Sequence, residues 1–163
     1  MTPPRKTAVN PPIDSPDRRR LPVLLRRAWY GLNQAFRRRI AHLGLTPDQF
    51  TVMRTLVEQD GISQRELTTI MSSDPNTVAS LVNRMEKAGL LERQTHEQDR
   101  RRNRLRLLPH GRAQYEQARA IAVGLQSEVL TSLPAKDREK FLAQLDVVAE
   151  ACRVFAANQP NDV

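Results

Sequence analysis

Apolar residues recur every three or four positions over most of this chain, which is the spacing of amphipathic helices. The first stripe begins at Leu21 and stops before Gly44, a residue that commonly ends helices. Thr46-Pro47 then places an N-cap before a proline suited to the first helical position, so a second helix is predicted from there to Asp60-Gly61. The first sixty residues therefore predict two helices.

Two further helix starts follow within thirty residues. Ser63 and Glu66 are spaced as a capping box, which predicts a short third helix. Asp74-Pro75 repeats the cap-plus-proline signature and begins a fourth helix, which Gly89 ends. Its polar residues fall on the face opposite the apolar stripe, so this helix is expected to present a polar surface.

The pattern then changes to that of a β-hairpin. Five arginines occupy seven positions between residues 100 and 106, and from Arg104 they alternate strictly with leucine. Alternation is typical of a strand with one buried and one exposed face. We predict one strand beginning at residues 90–93, a loop over residues 96–103, and a returning strand over residues 104–108.

The remaining residues predict two long helices, over residues 109–133 and 135–157. The candidate core residues of the first are Tyr115, Ile121, Ala122, Leu125 and Val129, and those of the second are Phe141, Leu142, Leu145, Val148, Ala149, Cys152 and Phe155. These stripes are longer than the four preceding helices and the hairpin could cover. We therefore expect the helices to pack with the first helix and with a second copy of the chain.

These elements predict a mainly α fold with a small β-hairpin wing, a winged helix-turn-helix. Residues 46–108 would form the DNA-binding lobe, and residues 21–45 and 109–157 a helical dimerisation region. The proline-rich, basic residues 1–20 are expected to be a disordered arm, and residues 158–163 a disordered tail.

Charge narrows the class of partner. The chain carries 26 basic and 18 acidic residues, a net charge of +8, which points to nucleic acid or an acidic membrane surface. No run of about 18 apolar residues occurs, and the N-terminus lacks the apolar stretch of a signal peptide, so a cytoplasmic protein is expected. The alternative is a basic module for membrane surfaces or nonspecific nucleic-acid binding, because the first helix is partly a basic amphipathic helix.

Enzymatic and metal-dependent functions find no support in the sequence. There is no glycine-rich phosphate loop and no suggestive Ser/His/Asp arrangement. His42, His96 and His110 lack partners at metal-ligand spacing, so neither a metal site nor another resident cofactor is expected. Cys152 lies within an apolar stripe and is interpreted as a packing residue.

Helix, turn, helix and hairpin in this order predict a double-stranded DNA-binding unit, with the fourth helix in the major groove. Short amides and hydroxyls on that helix suit base edges or phosphates, and arginines of the hairpin suit a narrow minor groove. Asp99 is expected to pair with a neighbouring arginine and brace the hairpin tip. The candidate DNA-binding residues are Ser73, Asn76, Thr77, Ser80, Asn83, Arg84, Asp99, Arg100, Arg101, Arg102 and Arg104.

Three segments resemble the MarR (multiple antibiotic resistance regulator) family of transcription regulators. They are Ser63–Leu67, Asn76–Arg93 and Asp99–Gly111, the last ending in Leu-Leu-Pro-His-Gly. The resemblance implies a homodimer of triangular outline with the terminal helices at its interface and with Arg101 in the minor groove. It also implies a repressor that binds a pseudo-palindromic operator and leaves it when a small ligand, often phenolic, binds between the dimer arm and the DNA-reading lobe.

The effector is expected to be an aromatic acid, a phenol or an aromatic acyl-coenzyme A. Aromatic and apolar side chains with a few polar anchors could line such a crevice, and the arginine cluster of the first helix could hold thioester phosphates. Alternatively, the apolar members belong to the core, and the arginines face DNA or solvent. The candidate ligand residues are Trp29, Asn33, Arg37, Arg38, Arg39, His42, Phe50, Met53 and Arg54.

Overall fold

The structure, a computed structural model, describes residues 20–96 and 99–157, and for residues 95, 96 and 99–103 it describes the backbone alone. The predicted disordered arm and tail therefore lie outside the described residues, except for Arg20. The elements in chain order are α1 (Leu21–Ile40), a 3-10 turn (Ala41–Leu43), α2 (Pro47–Glu58), β1 (Ile62–Ser63), α3 (Gln64–Ile70), α4 (Pro75–Lys87), β2 (Leu91–His96), β3 (Asp99–Leu107), α5 (Pro109–Leu130) and α6 (Ala135–Ala157).

Reciprocal caps fix the starts of α2 and α3. The hydroxyl of Thr46 accepts from the backbone N–H of Gln49 at 3.2 Å, and the Gln49 side chain accepts from the Thr46 N–H at 2.8 Å. Ser63 and Glu66 form the same pair of bonds, at 3.2 and 2.7 Å. Each pair satisfies two backbone groups that a helix start would otherwise leave without partners. The predicted boundaries at these residues are confirmed.

The three strands form an antiparallel sheet in the order β1-β3-β2. Leu91 pairs with Leu107 at the base of the hairpin and His96 with Asp99 near its tip, with an irregularity between Thr95 and His96. The predicted loop over residues 96–103 is therefore wrong, since the backbone is already a strand at Asp99. Inter-strand hydrogen bonding extends the hairpin beyond the segment in which the sequence alternates.

The first strand, β1, was not predicted. Ile62 pairs with Leu105 and Ser63 with Arg104, directly before the cap of α3. Two residues are too few to show a periodicity, so only the pairing with β3 makes this segment a strand.

A continuous core joins α1, α2 and α4 to the sheet and to the start of α5. The Phe36 ring meets the Phe50 ring edge-on at 4.9 Å between centroids, and Phe50 stacks on Tyr115 at 5.5 Å. These geometries are the favourable ones for aromatic pairs. The largest side chains with almost no exposure are Ile40, Met53, Leu56, Leu67, Met85, Leu91 and Leu105.

The chain divides into two compact units, whose described parts are residues 20–118 and residues 119–157. The second unit has few buried side chains of its own. Leu125 is buried, but the exposed members of the predicted core are Val129, Phe141, Ala149, Cys152 and Phe155. The prediction that these five residues are core, including the interpretation of Cys152 as a packing residue, is therefore wrong for the described chain by itself. The expected packing with a second copy stays a prediction.

Among the described residues, no helix has both the length and the apolar character needed to cross a lipid bilayer.

Candidate nucleic-acid interface

The turn between α3 and α4 sets the direction in which α4 leaves the lobe. The chain passes through Ser72 in a left-handed conformation, with φ of 48°. Asp74 then caps α4 by accepting from the Thr77 backbone N–H at 2.9 Å. Hydrogen bonds from the Thr77 side chain and backbone lower the pKa of Asp74. The cap is therefore ionised at neutral pH, which favours a helix N-terminus.

Helix α4 has one buried face and one polar, exposed face. Val78, Leu81, Val82 and Met85 are buried in the core, as predicted. The exposed face carries the predicted polar set, Asn76, Thr77, Ser80, Asn83, Arg84 and Lys87. Ser73, which lies in the turn before the helix, is half-buried. The structure thus brings five of the candidate DNA-binding residues onto one helix face.

Strand β3 is the cationic strand of the wing. Leu105 and Leu107 are buried and Arg104 and Arg106 are exposed, which confirms the predicted two-faced strand. The side chains of the other wing candidates, Asp99, Arg100, Arg101 and Arg102, lie outside the described residues, as does the predicted pairing of Asp99.

Arg104 and Arg106, the arginines of β3 whose side chains the structure describes, contact the turn that precedes β1. Nη1 of Arg104 donates to the Gly61 carbonyl at 2.6 Å, and Nε of Arg106 lies 3.3 Å from an Asp60 carboxylate oxygen. These bonds tie the wing strand to the end of α2. Arg104 therefore has a structural partner in addition to its predicted role at DNA.

A further cluster, which we call the Arg93 cluster, consists of Gln64, Asn83, Glu86 and Arg93. The Arg93 guanidinium donates to Glu86 Oε2, to Asn83 Oδ1 at 2.6 Å and to Gln64 Oε1 at 3.3 Å. The Arg93 backbone N–H also donates to Glu86 Oε1 at 3.2 Å. One side chain of β2 thereby connects the wing to both helices of the helix-turn-helix.

The sequence reasoning did not single out Arg93. Its position could have indicated a structural role, because Arg93 follows Leu91 by two residues and the two side chains therefore lie on the same face of β2. A charged residue on a face that is otherwise buried requires a partner, and Glu86 supplies it.

Comparisons with known proteins agree with this arrangement. The MarR family profile matches residues 45–102, which cover α2 to the wing. The transcriptional regulator HosA of Escherichia coli is 31% identical over 125 residues, which represent 74% of this chain and 93% of HosA. The chain belongs to the MarR family. Members of this family are transcriptional regulators rather than enzymes, as the sequence indicated.

Solved structures of a second MarR-family protein, Rv2887 of Mycobacterium tuberculosis, show the same winged-helix fold. The complex of Rv2887 with salicylic acid has a TM-score of 0.69 and 27% identity, covering 81% of this chain and 98% of that one. The complex of Rv2887 with DNA also has a TM-score of 0.69, with 26% identity and coverage of 80% and 98%. Rv2887 itself is described as an HTH-type transcriptional repressor.

The candidate ligand residues of this MarR-family chain differ in exposure. Phe50 and Met53 are buried, and Phe50 is enclosed by Phe36 and Tyr115. Asn33 is half-buried. The others are exposed, namely Trp29, Arg37, Arg38, Arg39, His42 and Arg54. The structure therefore does not bring the whole set to one surface.

Proposed function

We propose that this MarR-family chain acts as a homodimeric repressor that binds a pseudo-palindromic operator in double-stranded DNA. One observation carries the proposal: the exposed amide, hydroxyl and guanidinium groups of α4 lie on the helix that the Arg93 cluster joins to a cationic wing. Such a helix suits the major groove, and the wing suits an adjacent groove or phosphates. The DNA complex of Rv2887 supports this role. Because the proposed target of this chain is operator DNA, we also propose that the protein acts in the cytoplasm.

The wing is tested by replacing Arg101 with alanine. We expect binding to weaken for all DNA sequences and the slope of log K against log salt to fall by about one, because one cationic contact to the duplex is removed. Fluorescence anisotropy with operator and random DNA over a salt series measures both quantities. The matched control is Arg112→Ala, an exposed arginine of α5 outside the wing. Equal slopes for the wild type and Arg101→Ala would contradict the wing assignment.

The base-reading role of α4 predicts a different response. Replacing Asn76, Ser80 or Arg84 with alanine should alter the preference at particular operator positions, by about 1–3 kcal/mol where a bidentate contact is lost. Selection of operator variants from a randomised library, followed by sequencing, measures this preference. Uniform weakening at every position would mean that these side chains contact phosphates only.

We further propose that an aromatic carboxylate, or its coenzyme A thioester, releases the protein from DNA. The salicylic acid complex of Rv2887 supports an aromatic acid, and the exposed arginines at the end of α1, Arg37, Arg38 and Arg39, offer charge for carboxylate or phosphate groups. Calorimetric titration with salicylate, benzoate and benzoyl-coenzyme A tests this, together with a mobility-shift assay. The proposal fails if no compound gives heat or releases DNA.

A further inference from the structure

The Arg93 cluster fixes which end of the Asn83 carboxamide can face a ligand. Arg93 Nη2 lies 2.6 Å from Asn83 Oδ1. A guanidinium has donors and no acceptor, so the amide oxygen, not the amide nitrogen, must be the atom turned toward it. Asn83 is exposed, and among the described residues its Nδ2 group donates to no protein acceptor.

Arg93 is itself held from several sides. Its guanidinium donates to Glu86 and Gln64, and its backbone N–H donates to the other oxygen of Glu86. The Arg93 side chain is only 21% exposed. Rotation of the guanidinium away from Asn83 would disturb these bonds, so the donor stays in place and the oxygen of Asn83 faces Arg93 in the free protein.

This orientation restricts what Asn83 can read. Asparagine recognises adenine by accepting from N6 with its oxygen while donating to N7 with its nitrogen. An asparagine whose oxygen is bonded to Arg93 offers only its two N–H donors. Suitable partners are a phosphate oxygen or, on a base edge, guanine, whose O6 and N7 both accept.

We propose that Asn83 is a donor-only contact to operator DNA and that Arg93 is the positioning residue that makes it so. The inference rests on the proposed function, because it requires the exposed face of α4 to meet DNA. It predicts that Asn83 does not select adenine, although asparagine on a recognition helix commonly does.

The first test replaces Asn83 with aspartate. Aspartate keeps an oxygen toward Arg93 but presents an anionic oxygen, not an N–H donor, to DNA. We expect operator affinity to fall more than tenfold, and further than in Asn83→Ala, with an unchanged melting temperature. Gln59→Glu, which makes the same charge change at an exposed residue at the end of α2, should bind as the wild type. Operator binding of Asn83→Asp equal to that of the wild type would overturn the proposal.

The second test measures base preference with a randomised operator library. In Arg93→Met the Asn83 carboxamide is free to turn, and we expect the preference for adenine at one position per half-site to rise several-fold. This gain should vanish in Arg93→Met/Asn83→Ala and be smaller in Arg93→Lys, which retains a donor. If the role of Arg93 were purely structural, Arg93→Met would lower affinity by the same large factor in the wild-type and Asn83→Ala backgrounds and would leave base preference unchanged. A wild-type preference for adenine over guanine that Asn83→Ala abolishes would overturn the proposal.

The same measurements show whether the acceptor that Asn83 contacts belongs to a base or to a phosphate. If Asn83 contacts a base, Asn83→Ala changes preference at one position. If it contacts a phosphate, Asn83→Ala weakens all operators equally, and Arg93→Met lowers affinity only slightly, since a phosphate accepts from the freed amide as well. Both results support a donor-only contact. Absence of sequence-specific binding by the wild type would instead contradict the proposed function.

Discussion

Replacing Val147 and Phe155 with glutamate is expected to yield a folded monomer that binds its operator about 100-fold more weakly, or worse. The two side chains are 70% and 75% exposed on α6. Val147 also lines an open, mainly apolar groove of about 590 Å³ with Ala143 and Val148. Exposed apolar surface of this kind marks an interaction site, and glutamate there would have to be buried at a high cost in a dimer.

The loss in affinity follows from the two half-sites of a pseudo-palindrome. A dimer binds its second half-site as an intramolecular event, which can raise overall affinity by about 10²–10⁴ without a new contact. A monomer loses this gain but keeps its affinity for a single half-site. Sedimentation velocity gives the oligomeric state, and anisotropy on full and half operators gives the two affinities.

The control for this double variant is Gln59→Glu, which adds negative charge outside the proposed interface. It should remain dimeric. Circular dichroism separates monomer formation from unfolding, because α6 should keep its helicity. A Val147→Glu/Phe155→Glu protein that sediments as a dimer would contradict the assignment of α6 to the interface.

Local signals accounted for most helix boundaries. The Ser63 and Glu66 capping box, Asp74-Pro75 and Gly89 each act within one helical turn, so the sequence contains the whole interaction. Gly89 illustrates this, since its φ of 67° is a conformation that glycine adopts without strain at a helix end. The alternation of Arg104 to Leu107 was equally informative because a single buried sheet face imposes it.

Features that depend on pairing between distant segments could not be predicted in this way. Strand β1 exists because Ile62 meets Leu105, and the hairpin extends to Asp99 because His96 lies opposite it. No periodicity within these short segments distinguishes them from loop. The Arg93 cluster could not be predicted for the same reason, because Gln64 and Arg93 are 29 positions apart in the sequence.

In the candidate DNA-binding site, too, some features follow from local sequence and others depend on contacts between distant segments. The sequence identified the exposed face of α4 correctly, because burial follows the helical period. It did not show that Asn83 and Arg104 also bond within the protein, since both bonds join separate elements. Residue type and exposure thus identified candidate contacts, whereas the hydrogen-bonding capacity left for a ligand required the fold.

Replacing Gly111 with alanine is expected to be the most destabilising small substitution at the junction of the wing and α5. A Cβ at this position would lie 2.1 Å from the Leu90 carbonyl oxygen and 2.9 Å from Leu107 Cδ1. That carbonyl also accepts from the Leu108 N–H at 3.0 Å, so it cannot move away without loss of the bond. Overpacking against a fixed backbone atom should cost about 3 kcal/mol, which corresponds to a fall in melting temperature of about 10 °C.

The wing should be affected together with global stability, because Leu90 leads directly into β2 and Leu107 ends β3. Hydrogen exchange of the β2 and β3 amides would therefore rise in Gly111→Ala beyond the rise in α2. Gly124→Ala is the matched control, as this glycine of α5 has no neighbouring atom within 4 Å of an added Cβ. That variant should be more stable by about 0.5–1 kcal/mol, because alanine favours a helix. Equal melting temperatures for Gly111→Ala and the wild type would show that the first turn of α5 does not lie against Leu90.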